Sequence, residues 1–112
     1  MIRLDEADLE RLLKEGERFV LYKHSPSCGI SLWTRQHMKA FARRHSAVPV
    51  YWVDVVGQRP LSLEAARLLE IPHASPQVIV VENGAATWDA SHMGVTADAV
   101  ERAVGPAGSR RD

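Results

Sequence analysis

The one cysteine, Cys28, sits in a segment crowded with turn formers, His24-Ser25-Pro26-Ser27-Cys28-Gly29, between a short apolar run and a helical pattern. At a strand-to-helix junction, the first turn of the helix leaves backbone N–H groups without partners. Together with the helix dipole, those groups favour negative charge. A thiolate is stabilised there relative to the thiol, and the thiolate is the attacking species in disulfide exchange. The small neighbours Ser27 and Gly29 leave the sulfur approachable. Free cysteines are more often small buried hydrophobes; the junction is what assigns Cys28 a reactive role. Ser31 stands three residues on, where a dithiol enzyme needs a second sulfur. Serine cannot resolve a mixed disulfide, and no other cysteine can, so an outside thiol has to release Cys28.

The elements that must position this cysteine follow from periodicity. Leu4, Leu9, Leu12 and Leu13 predict a helix over about 5–15, capped by Gly16. Phe19-Val20-Leu21-Tyr22 lacks alternation and suits a strand buried on both faces. Ile30, Trp33, His37, Met38, Phe41 and Ala42 predict a helix over about 29–45. Residues 48–55 form the second strand, and Pro60 opens a third helix to about residue 70. Residues 77–82 and 85 to 89 or 90 are strands joined at Asn83-Gly84, a type I′ hairpin signal. Thr96 caps a last helix over about 97–104, stopped by Gly105-Pro106. Two parallel strands around a helix, then a third helix, a hairpin and a last helix, resemble the thioredoxin plan with an extra N-terminal helix. The expectation is an α/β fold with a four-stranded mixed sheet, one domain over residues 1–106, and a frayed tail over 107–112.

On that plan Ser75-Pro76-Gln77 falls where such folds carry a cis-proline, with the Ser75 backbone beside Cys28 and able to pair with a substrate strand. The five histidines, His24, His37, His45, His73 and His92, match no zinc spacing, so no metal is expected. His24, four residues before Cys28, either stabilises the thiolate or serves the strand end. Trp33, Trp52 and Trp88 read as packing residues. Arg35, Lys39, Arg43 and Arg44 read as a solvated helix face, the alternative being attraction of the carboxylates of an acidic thiol.

Composition narrows the field. The chain has 112 residues, with 14 basic and 14 acidic side chains, so its formal charge is zero and nothing argues for nucleic acid or an anionic membrane. No apolar stretch approaches the ~18 residues of a spanning helix. The start, Met1-Ile2-Arg3-Leu4-Asp5-Glu6, does not read as a secretory signal. A cytoplasmic location is the expectation, in keeping with a single unpaired cysteine.

The segment Tyr22-Lys23-His24-Ser25-Pro26-Ser27-Cys28-Gly29-Ile30-Ser31 resembles the active-site segment of the monothiol bacilliredoxins, the YtxJ-like family. Residues 48–55, Ser75-Pro76-Gln77 and Ala90-Ser91-His92 extend the resemblance over nearly the whole chain. It implies a glutaredoxin-like role with the small thiol bacillithiol as co-substrate, no tightly bound cofactor, and S-thiolated client proteins as partners. Cys28 is then the nucleophile, Ser31 fills the place of a resolving cysteine, and Pro76 is the substrate-side cis-proline. Gly29, Ser31, Ser75, Pro76 and His92 are the implied substrate-binding residues. A second bacillithiol or a partner reductase restores Cys28, for which a pKa moderately below ~8.5 serves best. One departure stands out: the family usually has proline directly after the cysteine, and this chain has Gly29. Tyr22 occupies the place where dithiol thioredoxins keep a buried acid, in keeping with the missing second thiol.

Three other readings compete. A cysteine hydrolase also puts its nucleophile at a helix start, but a chain this short offers no second lobe and no evident His–Asn/Asp partner. A redox-silent thioredoxin-fold binding module would use the Ser75 edge to hold a partner. The same exchange chemistry could also serve another small thiol, such as glutathione or coenzyme A.

Overall fold

Asp5 opens the first helix by accepting the Asp8 N–H at 2.7 Å, while the Asp8 carboxylate accepts the Asp5 N–H at 3.4 Å. That helix, α1 (Glu6–Glu15), ends at Gly16, whose φ of 71° a residue without Cβ adopts freely. Before it lies β1 (Ile2–Arg3); after it come β2 (Phe19–His24), α2 (Gly29–Arg44) and β3 (Val50–Asp54). Next are α3 (Arg59–Leu69), β4 (Gln77–Glu82), β5 (Ala85–Ser91), a 3₁₀ turn at His92–Gly94, and α4 (Ala97–Val104). These elements come from a computed structural model that describes residues 1–26 and 29–105. Cys28 and the 107–112 segment, read from sequence as nucleophile and tail, lie outside the described residues.

The sheet has the order β1-β3-β2-β4-β5, so β2 is its centre. β3 is parallel to β2 and to β1, whereas β4 runs antiparallel to both β2 and β5. Side chains alternate across a strand. Phe19 and Leu21 of β2 therefore join a core with Leu9, Leu12, Leu61 and Ile79 under α1 and α3. Val20 and Tyr22 join the opposite core with Met38, Phe41, Val78 and Val100 under α2 and α4. This two-sided burial is what the non-alternating run predicted. Asn83 and Gly84 have φ of 54° and 78°, the positive pair a type I′ turn requires.

The sheet has five strands rather than the four expected. β1 is only two residues long, both exposed, and pairs Ile2 with Tyr51 and Arg3 with Trp52. Such a strand carries no periodicity. It is fixed by the fully buried Leu4, whose N–H donates to the Trp52 carbonyl at 2.8 Å. β2 also runs two residues further than read, which puts His24 on the sheet rather than in the loop. Among the described residues no helix is long and apolar enough to cross a membrane.

Candidate functional site

The C-terminal ends of β2 and β3 and the first turns of α2 define the site. Gly29, joined to Cys28 in the chain, is the first residue of α2. Two residues on, Ser31 is fully buried, and its Oγ accepts the Ser25 N–H at 3.2 Å. The residue in the place of a resolving cysteine thus ties the loop after β2 to the helix. From the other side, the Tyr22 hydroxyl donates to the Ser31 carbonyl at 3.3 Å and lies 2.9 Å from Nδ1 of His24. A phenol has one proton. With it directed at Ser31, Nδ1–H of neutral His24 is the donor to Tyr22, and Nε2 is left as an acceptor.

Burial sets the protonation states of this pair. Desolvation pushes the Tyr22 phenol up to about 12, so it stays protonated at neutral pH. Desolvation is also the main influence lowering the His24 pKa, helped by the positive charge of Arg35 and opposed by Asp54. The Asp54 carboxylate accepts backbone N–H bonds from Gly57 at 3.0 Å and Val56 at 2.9 Å, which hold its pKa low. His24 stands edge-on to Trp52, with ring centroids 6.3 Å apart.

The loop before β4 closes the other side. Lys23 pairs in register with Gln77, so the end of β2 lies against the start of β4. The Ser75–Pro76 peptide bond is cis, and Pro76 is buried. Buried Gln77 folds back on this loop, donating to the Pro72 carbonyl at 3.1 Å and accepting the Ala74 N–H at 3.4 Å. The Pro76 carbonyl accepts the His92 N–H at 3.0 Å. The structure therefore brings Pro76 and His92 together at one end of β4, with the His92 side chain exposed. Gly29 and Ser31 both lie in the first turn of α2, which follows the end of β2.

Two features escaped the sequence. Lys23 is fully buried inside the sheet, its ammonium donating to the Ser62 carbonyl at 3.0 Å and lying 3.2 Å from Nδ1 of His73. A lysine closing an apolar central strand was the available signal. The second is the approach of Trp52 and Asp54 to His24, which depends on strand order. The remaining histidines have structural partners: Nδ1 of His37 accepts the Ala97 N–H at 3.1 Å, and His45 meets Glu101 at 2.6 Å. Among the described residues no group of three or more His, Cys, Asp or Glu side chains is placed to hold a metal ion.

Comparison with known proteins fits this geometry. A family profile described as "Monothiol bacilliredoxin BrxC" matches residues 4–100. A solved candidate oxidoreductase with a thioredoxin fold superposes with a TM-score of 0.85 at 25% identity, covering 93% of each chain. Thioredoxin from Fasciola hepatica superposes at 0.67 with 25% identity, covering 91% of this chain and 92% of its own. Thioredoxin from Trypanosoma brucei brucei, 12% identical, shares the fold at a TM-score of 0.75, covering 93% of this chain and 87% of its own.

Proposed function

The chain belongs to the monothiol bacilliredoxin family, and from that premise we propose that it removes bacillithiol from S-bacillithiolated proteins through a mixed disulfide on Cys28. Its family and fold are those of thiol–disulfide oxidoreductases. The observation that carries the finer reading is that the matched stretch contains the chain's one cysteine and a buried serine, Ser31, where a second thiol would stand.

In the first step the Cys28 thiolate attacks the bacillithiol sulfur of the client's mixed disulfide. The client–bacillithiol S–S bond breaks, a Cys28–bacillithiol disulfide forms, and the client leaves as a thiolate that takes a proton from water. In the second, the thiolate of another bacillithiol attacks the bacillithiol sulfur held on Cys28. Bacillithiol disulfide departs and the Cys28 thiolate is restored. A partner reductase could supply the second thiol instead. Ser75, Pro76 and His92 would line the client side, with Gly29 and Ser31 on the side of the exchanged thiol. A reducing cytoplasm suits a lone reactive cysteine.

The test is mass spectrometry of the protein incubated with an S-bacillithiolated client, with glutathionylated and coenzyme A-modified clients alongside. Cys28 should gain the bacillithiol mass as the client loses it, faster than for the other two thiols, and Cys28→Ser should abolish transfer. A Cys28 that stays unmodified by all three in folded protein overturns the proposal.

A further inference from the structure

Helix α2 carries four cationic residues, Arg35, Lys39, Arg43 and Arg44, and not one aspartate or glutamate. In a chain of zero formal charge this is a local excess that something should balance. Arg44 is balanced: it meets Asp98 at 3.3 Å and Glu101 at 3.6 Å, both on α4. Arg35, Lys39 and Arg43 have no carboxylate partner among the described residues. They recur four residues apart, so they stack on one face of the helix, turned away from the Arg44 pairing.

That face forms one wall of a cleft of about 690 Å³, a volume in the range of small-ligand sites. The opposite wall is Tyr22, His24 and Trp52, from the ends of β2 and β3. Among the described residues Asp54 is the one carboxylate lining the cleft, and its Oδ1 is committed to the Val56 and Gly57 N–H groups. Arg3 lies over the Trp52 ring, 5.2 Å from its centroid, and adds positive charge at that edge. Pro26 stands at the rim, two residues before Cys28, and two residues of chain span at most about 7 Å. The cleft lies on the β3 side of β2, whereas the Pro76 loop lies on the β4 side.

Resting on the exchange chemistry proposed above, we infer that this cleft binds the carboxylates of the small thiol that Cys28 exchanges, and so selects thiols bearing two or more negative charges. Three unpaired cations against one engaged carboxylate supply the field. The aromatic wall excludes water from one side and strengthens that attraction. The client protein is left to the β4 side, so the two partners of the disulfide approach Cys28 from opposite flanks.

Two measurements test the inference separately from the exchange reaction. In the first, Cys28→Ser protein is titrated with tricarballylate, a tricarboxylate without a thiol, and followed by NMR. The expected result is saturable shifts of the Trp52 indole and the His24 ring, lost in R35Q/K39Q/R43Q and kept in Arg44→Gln. In the second, wild-type protein is given mixed disulfides of one peptide with mercaptosuccinate, mercaptoethanol or cysteamine. The dianionic donor should react about tenfold or more faster than the neutral one at about 0.01 M salt. The preference should shrink towards one at about 1 M salt and fall likewise in the triple variant. Tricarballylate shifts with an inert Cys28 would uphold the cleft and overturn the exchange reaction. Reaction at equal rates with all three donors, with no shifts, would overturn the cleft and leave the exchange reaction standing.

Discussion

The ammonium of the fully buried Lys23 lies 3.2 Å from Nδ1 of His73, joining β2 to the loop that leads into the cis Ser75–Pro76 bond. Both groups are held towards their neutral forms. Desolvation lowers the Lys23 pKa to about 8, and desolvation followed by the charges of Lys23 and Arg59 lowers that of His73. Neutral His73 can then accept a hydrogen bond that a protonated ring could not.

Lys23 makes stability rise in alkaline solution. Its folded pKa lies below the unfolded value of 10.5, so between pH 8 and 10.5 the unfolded chain binds more protons and unfolding becomes less favourable as pH increases. Tyr22 acts with the opposite sign above pH 10, because its folded pKa of about 12 exceeds the unfolded 10.0. The clean window is therefore pH 8 to 10. Urea melts there, in a Cys28→Ser background that removes the thiol titrating in the same range, should show a rising midpoint worth on the order of 2 kcal/mol, and a flat one once Lys23→Met is added. A Cys28→Ser midpoint that falls across this window would contradict the buried, desolvated ammonium.

His24 should titrate below the ordinary histidine value, and its neighbours should move it in opposite directions. Removing a positive charge in Arg35→Gln should raise its pKa, though not fully to 6.5, because desolvation is the larger influence and persists. Asp54→Asn removes the one opposing charge and should lower the pKa further. NMR titration of the His24 ring reads both shifts. Because the folded pKa is depressed, His24 and His73 both contribute stability above pH 6.5 that is lost as pH falls. Equal His24 curves in all three proteins would mean that Arg35 and Asp54 do not act on this ring.

Much of this arrangement was legible in the residues. Tyr22 and Ser31 sat in a recognisable segment, Asn83-Gly84 dictated its turn, and the apolar run in β2 announced a central strand. What stayed hidden depended on which strands become neighbours. The parallel pairing of β2 with β3 sets His24 against Asp54 in register, and nothing local to either sequence says so. The pairing of Lys23 with Gln77 likewise brings the Lys23 side to the Pro76 loop, whereas a lysine after four apolar residues reads locally as a strand end. β1 was invisible because its two residues bury nothing; its order comes from Leu4 beyond it.

Gly29 departs from the proline common at this place, and its surroundings permit a larger residue. Among the described residues nothing lies within 4 Å of the position a Cβ would take, and its φ is outside the left-handed region. Gly29→Ala should therefore stabilise the protein by about 0.4–1 kcal/mol, chiefly by reducing the freedom of the unfolded chain. Thermal melts check the gain. A loss of stability would mean that the first turn of α2 needs glycine's freedom.

Ser31 separates two roles that its position combines. As a structural group, its buried Oγ accepts the Ser25 N–H, so Ser31→Ala should cost about 1 kcal/mol, read as a lower urea midpoint at unchanged slope. As the occupant of the resolving position, it withholds a second thiol three residues after Cys28. Ser31→Cys should supply one, so a small thiol loaded on Cys28 would be expelled within the molecule, leaving a protein two hydrogens lighter than its reduced form. Mass spectrometry after loading with a mixed-disulfide donor distinguishes the two states: a lasting adduct in wild type and an internal disulfide in Ser31→Cys. A lasting adduct in both proteins would show that the buried site of Ser31 keeps even a thiol there from reaching Cys28, and that monothiol behaviour is set by the packing of α2 as well as by the missing sulfur.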